Sequence, residues 1–140
     1  ATSKLQSQYT SGASSIAQKA AEAAYTGSQE CIEEMRKAFE RRRDLIVGLA
    51  SAIPGWKVNR PDGAFYLFPE VSSYFGKRYG DYVINNDADL AMYLLEEGHV
   101  ATVAGSAFCC PGYIRLSYAT SDDTIREAIR RIEEALAKLV

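Results

Sequence analysis

Apolar positions recur along this 140-residue chain in two rhythms, one of three-and-four steps and one of strict alternation. The three-and-four rhythm predicts helices. Residues 1–8 are polar and read as the end of a helix, broken at Tyr9-Thr10-Ser11-Gly12. Ser14 or Ser15 is placed to cap an alanine-rich helix running through Ile16, Ala20 and Ala23 to Tyr25, with Gly27 suited to a left-handed C-terminal cap. Ser28 then caps a long helix whose first turns carry Glu30, Glu33 and Glu34 at the positive end of the dipole. Its apolar stripe is Ile32, Met35, Phe39, Ile46 and Leu49. Ile53-Pro54-Gly55 stops it.

Two strands are predicted next, 56–58 and 64–68, joined at Arg60-Pro61-Asp62-Gly63 as a tight hairpin. A polar and aromatic connector, Ser72–Asn86, follows. At about fifteen residues it is long for a connector, which leaves a binding loop or lid and a plain surface insertion both open. Asp87 is read as the cap of a third helix carrying Leu90, Tyr93 and Leu94 and closed by Gly98. A strand at 99–103, a loop at 104–111 and an alternating strand at 112–118 come before a final helix. That helix starts at Ser121 and carries the stripe Ile125, Ile129, Ile132, Leu136 and Leu139. Each helix has one apolar side. The predicted architecture is therefore α/β, a two-layer α+β sandwich-like domain. Its helices pack on one face of a small sheet, preceded by a long helix.

Composition narrows the function classes. A hydrophobic fraction of 47% and a charged fraction of 24% are those of an ordinary globular protein. The net charge of −2 gives no electrostatic case for nucleic acid or an anionic membrane. No apolar run approaches the ~18 residues a membrane span needs. Arg41-Arg42-Arg43 reads as the solvated side of the long helix. His99 is the single histidine, and Cys31, Cys109 and Cys110 follow no metal-ligand spacing, so no metal site is expected. The thiols are those of a reduced, cytoplasmic protein.

One residue carries candidate chemistry. In 112–118, Ile114, Leu116 and Tyr118 point one way, and Tyr113, Arg115 and Ser117 the other. Arg115 cannot shed its charge and needs water or an anion, and its planar fork matches a carboxylate with two parallel bonds. For a strand arginine taken alone, a structural ion pair or a solvated sheet face is the more ordinary reading.

Three segments, taken together, change that balance. They are 6–18 (Gln-Ser-Gln-Tyr-Thr-Ser-Gly-Ala-Ser-Ser-Ile-Ala-Gln), 61–69 (Pro-Asp-Gly-Ala-Phe-Tyr-Leu-Phe-Pro), and Val103 through Gly105-Ser106-Ala107-Phe108 to Ile114-Arg115-Leu116-Ser117-Tyr118-Ala119. In order and spacing they resemble the C-terminal part of fold-type I, pyridoxal-phosphate-dependent aminotransferases of the aspartate aminotransferase group. The resemblance implies that Arg115 binds the substrate's α-carboxylate. It also implies that Thr10 and Ser11 approach the neighbouring subunit's active site in a homodimer. Residues 1–27 would be the last helix of the large domain, and 28–140 the small domain. The loop 105–108 resembles the family's Pro-Gly-x-x-Phe-Gly loop, departing at Ala104, where Pro is common, and at Cys109, where Gly is usual. The second departure asks Cys109 to take a backbone position often given to glycine.

The family's Schiff-base lysine lies in a Ser-x-Ser-Lys-x-x-x-x-x-Gly-x-Arg-type context. Ser3-Lys4 does not reproduce it: Gln8 stands where an apolar residue belongs, and Tyr9 to Ser11 hold no Gly-x-Arg. Lys4 is read as an ordinary exposed lysine, and no catalytic residue is assigned within the chain. The expectation is a C-terminal fragment whose parent uses pyridoxal 5'-phosphate on amino-acid and 2-oxo-acid substrates. The chain alone would bind no cofactor and be inactive. The alternative is a stand-alone interaction or regulatory module with an aminotransferase-like small domain.

Overall fold

Alternation in the last predicted strand translates directly into a buried and an open side. In the computed structural model, which describes residues 2–140 and leaves Ala1 outside the described residues, Ile114, Leu116 and Tyr118 are buried, while Tyr113 and Arg115 are half-buried and Ser117 is exposed. The strand β5 (Ile114–Ser117) lies between β1 (Tyr66–Leu67) and β4 (Val103–Ala104), and both pairings are antiparallel. The ladders are short, so the sheet is held less by backbone bonds than by the side chains beneath it.

Those side chains come from three helices: α3 (Glu30–Ser51), α4 (Asp87–Glu96) and α5 (Asp122–Leu136). Ile46 and Ala50 of α3, Leu90 and Leu94 of α4, and Ile125, Ile129 and Ile132 of α5 join Leu67, Ile114 and Leu116 in one core. Each large apolar side chain so buried stabilises the fold by about 1.5–3 kcal/mol. The α5 cap is as predicted, with the Thr124 amide donating to Ser121 Oγ at 3.2 Å.

Several local expectations are corrected. The tight hairpin does not form: Lys57 pairs with Glu70 instead, so the reversal spans 58–69 and Pro61-Asp62-Gly63 is only its tip. The reason is that 64–68 finds its hydrogen-bonding partner in β5, with Tyr66 opposite Ser117. Gly27 is extended, at φ −80° and ψ 179°, rather than left-handed. The α4 cap is Asn86, whose side chain accepts from the Asp89 amide at 2.9 Å. After α4 it is His99, at φ 55°, and not Gly98 that turns the chain out of the helix, which shortens the predicted strand at 99–103 to β4. Arg43 is not on a wet face. Its side chain is 11% exposed and pairs with Asp44 at 2.9 Å, while Arg41 and Arg42 reach Asp122 at 3.1 and 3.7 Å.

The connector Ser72–Asn86 is packed rather than free. It forms a 3-10 turn (Ser72–Tyr74) and a small hairpin of β2 (Arg78–Tyr79) and β3 (Tyr82–Val83), with Tyr74 and Ile84 in the core. Arg78 exchanges both backbone bonds with Val140, tying the connector to the chain end.

The chain divides into two compact units, the residues up to Arg36 and Lys37–Val140. The first holds α1 (Thr2–Tyr9), α2 (Ser15–Thr26) and the start of α3, and neither α1 nor α2 buries a residue. The second holds the sheet and the core. Among the described residues no helix is long and apolar enough to cross a membrane, and no His/Cys/Asp/Glu group is arranged to hold a metal.

Candidate functional site

Register decides what surrounds Arg115. Tyr66 sits opposite Ser117, and Val103 opposite Arg115, so these side chains share the sheet face away from the core. The guanidinium carbon of Arg115 lies 4.3 Å from the centroid of the Tyr66 ring and 4.4 Å from that of Phe108. Tyr66 belongs to β1 on one side of β5. Phe108 belongs to the 3-10 turn Gly105–Phe108, which continues β4 on the other side. Phe68 stacks on Tyr113 at 5.3 Å and 10° and meets Phe108 edge-on at 6.2 Å and 81°. The face is thus an aromatic floor with Arg115 set into it.

Among the described residues no carboxylate comes within ion-pair distance of Arg115. Glu70, across from Tyr113, is already committed. Ser72 Oγ donates to it at 2.6 Å and Lys57 Nζ bonds it at 2.9 Å, and together these hold its carboxyl below the usual range. A permanent cation with rings against it and no acid beside it retains in-plane N–H donors for an external anion.

The turn that delivers Phe108 is fixed by two features. Gly105 is buried, and a Cβ on it would lie 2.3 Å from the Cys110 carbonyl oxygen and 2.7 Å from that of Tyr113. Asp87, 2% exposed, accepts the Ser106 amide at 2.6 Å. Burial pushes the Asp87 carboxyl upward, but the hydrogen bonds from Ser106 and from the Gly112 backbone outweigh it, and the net direction is downward. Cys109 does adopt the glycine-like conformation, at φ 56° and ψ 28°.

Sequence reasoning reached Arg115 but missed Tyr66, Phe108 and Asp87. Tyr66 and Phe108 lie in motifs already singled out, and only the strand pairing shows that both face Arg115. Thr10 and Ser11 belong to the first unit. Both are exposed; Thr10 Oγ1 donates to the Gln6 carbonyl at 3.1 Å, and Ser11 has φ 57°. A cavity of about 570 Å³ opens between α5 and His99–Ala101, but Arg115 does not line it.

A small antiparallel sheet backed by helices is an arrangement like that of an aminotransferase small domain. Comparison with known proteins bears this out: the sequence model of the family described as aminotransferase class I and II matches residues 1–132, and the chain belongs to that family. An aspartate aminotransferase of Pinus pinaster is 49% identical over 99% of this chain and 29% of its own length. A bifunctional aspartate aminotransferase and glutamate/aspartate-prephenate aminotransferase of Petunia hybrida is 46% identical over 99% and 30%. The crystal structure of the Rhizobium meliloti aspartate aminotransferase superposes with a TM-score of 0.90 at 43% identity, covering 97% of this chain and 34% of that one. A Thermus thermophilus aspartate aminotransferase solved with maleate gives 0.79 at 36% identity, over 94% and 32%. The chain spans about a third of the length of these relatives.

The family implies pyridoxal phosphate in the parent enzyme. A Schiff-base lysine needs an amine free to react. Lys57 is tied to Glu70, Lys138 reaches Glu97 at 3.5 Å, Lys77 lies 5.5 Å from the Tyr74 ring, and Lys19 pairs with Glu22 at 2.6 Å. Lys4 is exposed on α1, and Lys37 also has a partner.

Proposed function

We propose that this chain is the substrate-carboxylate-binding part of a pyridoxal-phosphate-dependent aminotransferase of the aspartate type. The parent would transfer an amino group between an L-amino acid and a 2-oxo acid, both of which carry the carboxylate Arg115 would hold. The observation that carries the reading is Arg115 itself, set between Tyr66 and Phe108 with no acid beside it. Two parallel charge-assisted bonds would fix both the position and the plane of the carboxylate, which is what orienting the adjacent carbon for reaction requires.

Residues 1–27 are proposed as the last helical segment of the parent's large domain and 28–140 as its small domain. The absence of any buried residue in α1 and α2 supports an origin in a larger interface. In a homodimer, Thr10 and Ser11 would stand toward the neighbouring subunit's site. Three free thiols suit a cytoplasmic setting.

The test is Arg115→Lys in the full-length enzyme, because lysine keeps the charge and loses the fork. The expected result is a fall in kcat/KM of roughly 100-fold or more with amino-acid and oxo-acid substrates, and an unchanged melting temperature. A kcat/KM within about threefold of the parent beside a collapsed melting temperature would make Arg115 a structural residue. The 140 residues by themselves are expected to show neither transamination nor cofactor absorbance; a reducible adduct at Lys4 with turnover would overturn that.

A further inference from the structure

We infer that Tyr66 and Phe108 are positioning residues that set the plane of the Arg115 guanidinium, so that its fork is already oriented when a carboxylate arrives. This rests on the reading that Arg115 binds the substrate carboxylate.

An arginine has many rotamers, and binding through it ordinarily costs the entropy of fixing them. Here the backbone of Arg115 is fixed by β5, and its guanidinium carbon is in contact with two rings at nearly the same distance, 4.3 and 4.4 Å. The rings come from elements on opposite sides of the strand, so the group is confined from both directions. A cation lying over a ring is attracted by the ring's negative face. A guanidinium that meets rings face to face does so through its flat sides, whereas its five N–H donors lie in the plane and stay available. Rings therefore restrict the fork without competing for its hydrogen bonds. An acidic neighbour would have occupied the donors that a substrate needs.

The rings are themselves held. Phe65 lies 4.4 Å from Tyr66, and Phe68 supports both Phe108 and Tyr113. Phe108 is also exposed on its outer side, at 46%. It can therefore be replaced without opening the core, which makes it a clean position to alter. Tyr66 is half-buried, and its hydroxyl makes no hydrogen bond among the described residues, so the ring rather than the phenol is the working part.

The experiment measures maleate, a non-reacting dicarboxylate, binding to the full-length holoenzyme by equilibrium titration. The variants are Phe108→Leu and Tyr66→Leu in the parent and in an Arg115→Lys background, with KM and kcat for L-aspartate taken alongside. Each leucine variant is expected to raise the maleate Kd and the aspartate KM by about 3- to 30-fold, with a smaller change in kcat. In the Arg115→Lys background the same replacements should change the maleate Kd by less than about twofold, because a point charge has no plane to orient. Phe108→Tyr and Tyr66→Phe, which keep the rings, should restore binding. Equal effects of Phe108→Leu in both backgrounds, or no effect in the parent, overturn the inference while leaving Arg115 as the carboxylate grip. If Arg115→Lys alone leaves the maleate Kd within about threefold, the grip itself is wrong and the inference falls with it.

Discussion

Arg115 and Asp87 keep their charges in opposite ways. The arginine lies against rings and keeps its donors open, whereas the aspartate is sealed and spends its oxygens on backbone amides. Asp87 thereby ties the start of α4 to the turn that carries Phe108. Its carboxyl titrates below the ordinary range, so the ionised form is the one the fold favours. A depressed value means that the stabilisation is fully present above the unfolded pKa of about 3.9 and is lost as pH falls through the folded value. Asp87→Ala is expected to cost about 1–3 kcal/mol at pH 7, since it leaves the Ser106 amide without its partner. The difference from the parent should narrow on acidification below about pH 4. Denaturant unfolding at several pH values checks this, and a gap that stays constant down to pH 3 would rule the mechanism out. The placing of Arg115 on the sheet face away from the core was legible in the sequence because alternation is a local signal. The role of Asp87 was not, because a carboxyl at a helix start reads as a cap, and its partner lies 19 residues further on.

Among elements, the helices were more legible than the sheet. Stripes at three-and-four spacing put Ile125, Ile129 and Ile132 on one side of α5 whatever they pack against, and all three are in the core. Strand pairing is different: nothing local to 64–68 says that its partner is β5 rather than 56–58. The tight hairpin was a reasonable reading of Pro61-Asp62-Gly63, and it gave way to a longer-range pairing. The turn Gly105–Phe108 is the element on which the site most depends. Its glycine is required by proximity, with two carbonyl oxygens where a side chain would stand. Gly105→Ala is therefore expected to displace the turn from β5 and to destabilise the protein by about 1–3 kcal/mol or more, because backbone cannot rotate away as a side chain can. It should also raise KM in the full-length enzyme through Phe108. A melting temperature within about 1 °C of the unaltered 140-residue chain, when 1 kcal/mol is worth about 2–4 °C at close to 150 residues, would show that the loop has slack that the geometry denies.

At the scale of the whole chain, the core begins within α3. Its buried side chains run from Ile46 to Leu139, and all lie in the unit Lys37–Val140. In the first unit Tyr9 and Tyr25 are each 88% exposed, Ile16 81% and Leu5 68%. Apolar side chains left so bare on short helices contribute almost nothing to the stability of the chain as it stands. Opening such a segment costs little, whereas cutting within the core requires the sheet to come apart. Limited trypsin digestion of the 140-residue chain should therefore cleave first after Lys4, Lys19 or Arg36 and leave a persistent product ending at Val140. In the full-length enzyme the same bonds should be protected, since the proposed interface would cover Leu5, Tyr9, Ile16 and Tyr25. Early cleavage after Lys57 or Arg115 in the short chain, with α1 and α2 still attached, would place the stable unit elsewhere. Protection lost in one context and gained in the other is the result that ties the bare helices to a larger protein, because only a covering surface changes between the two digests.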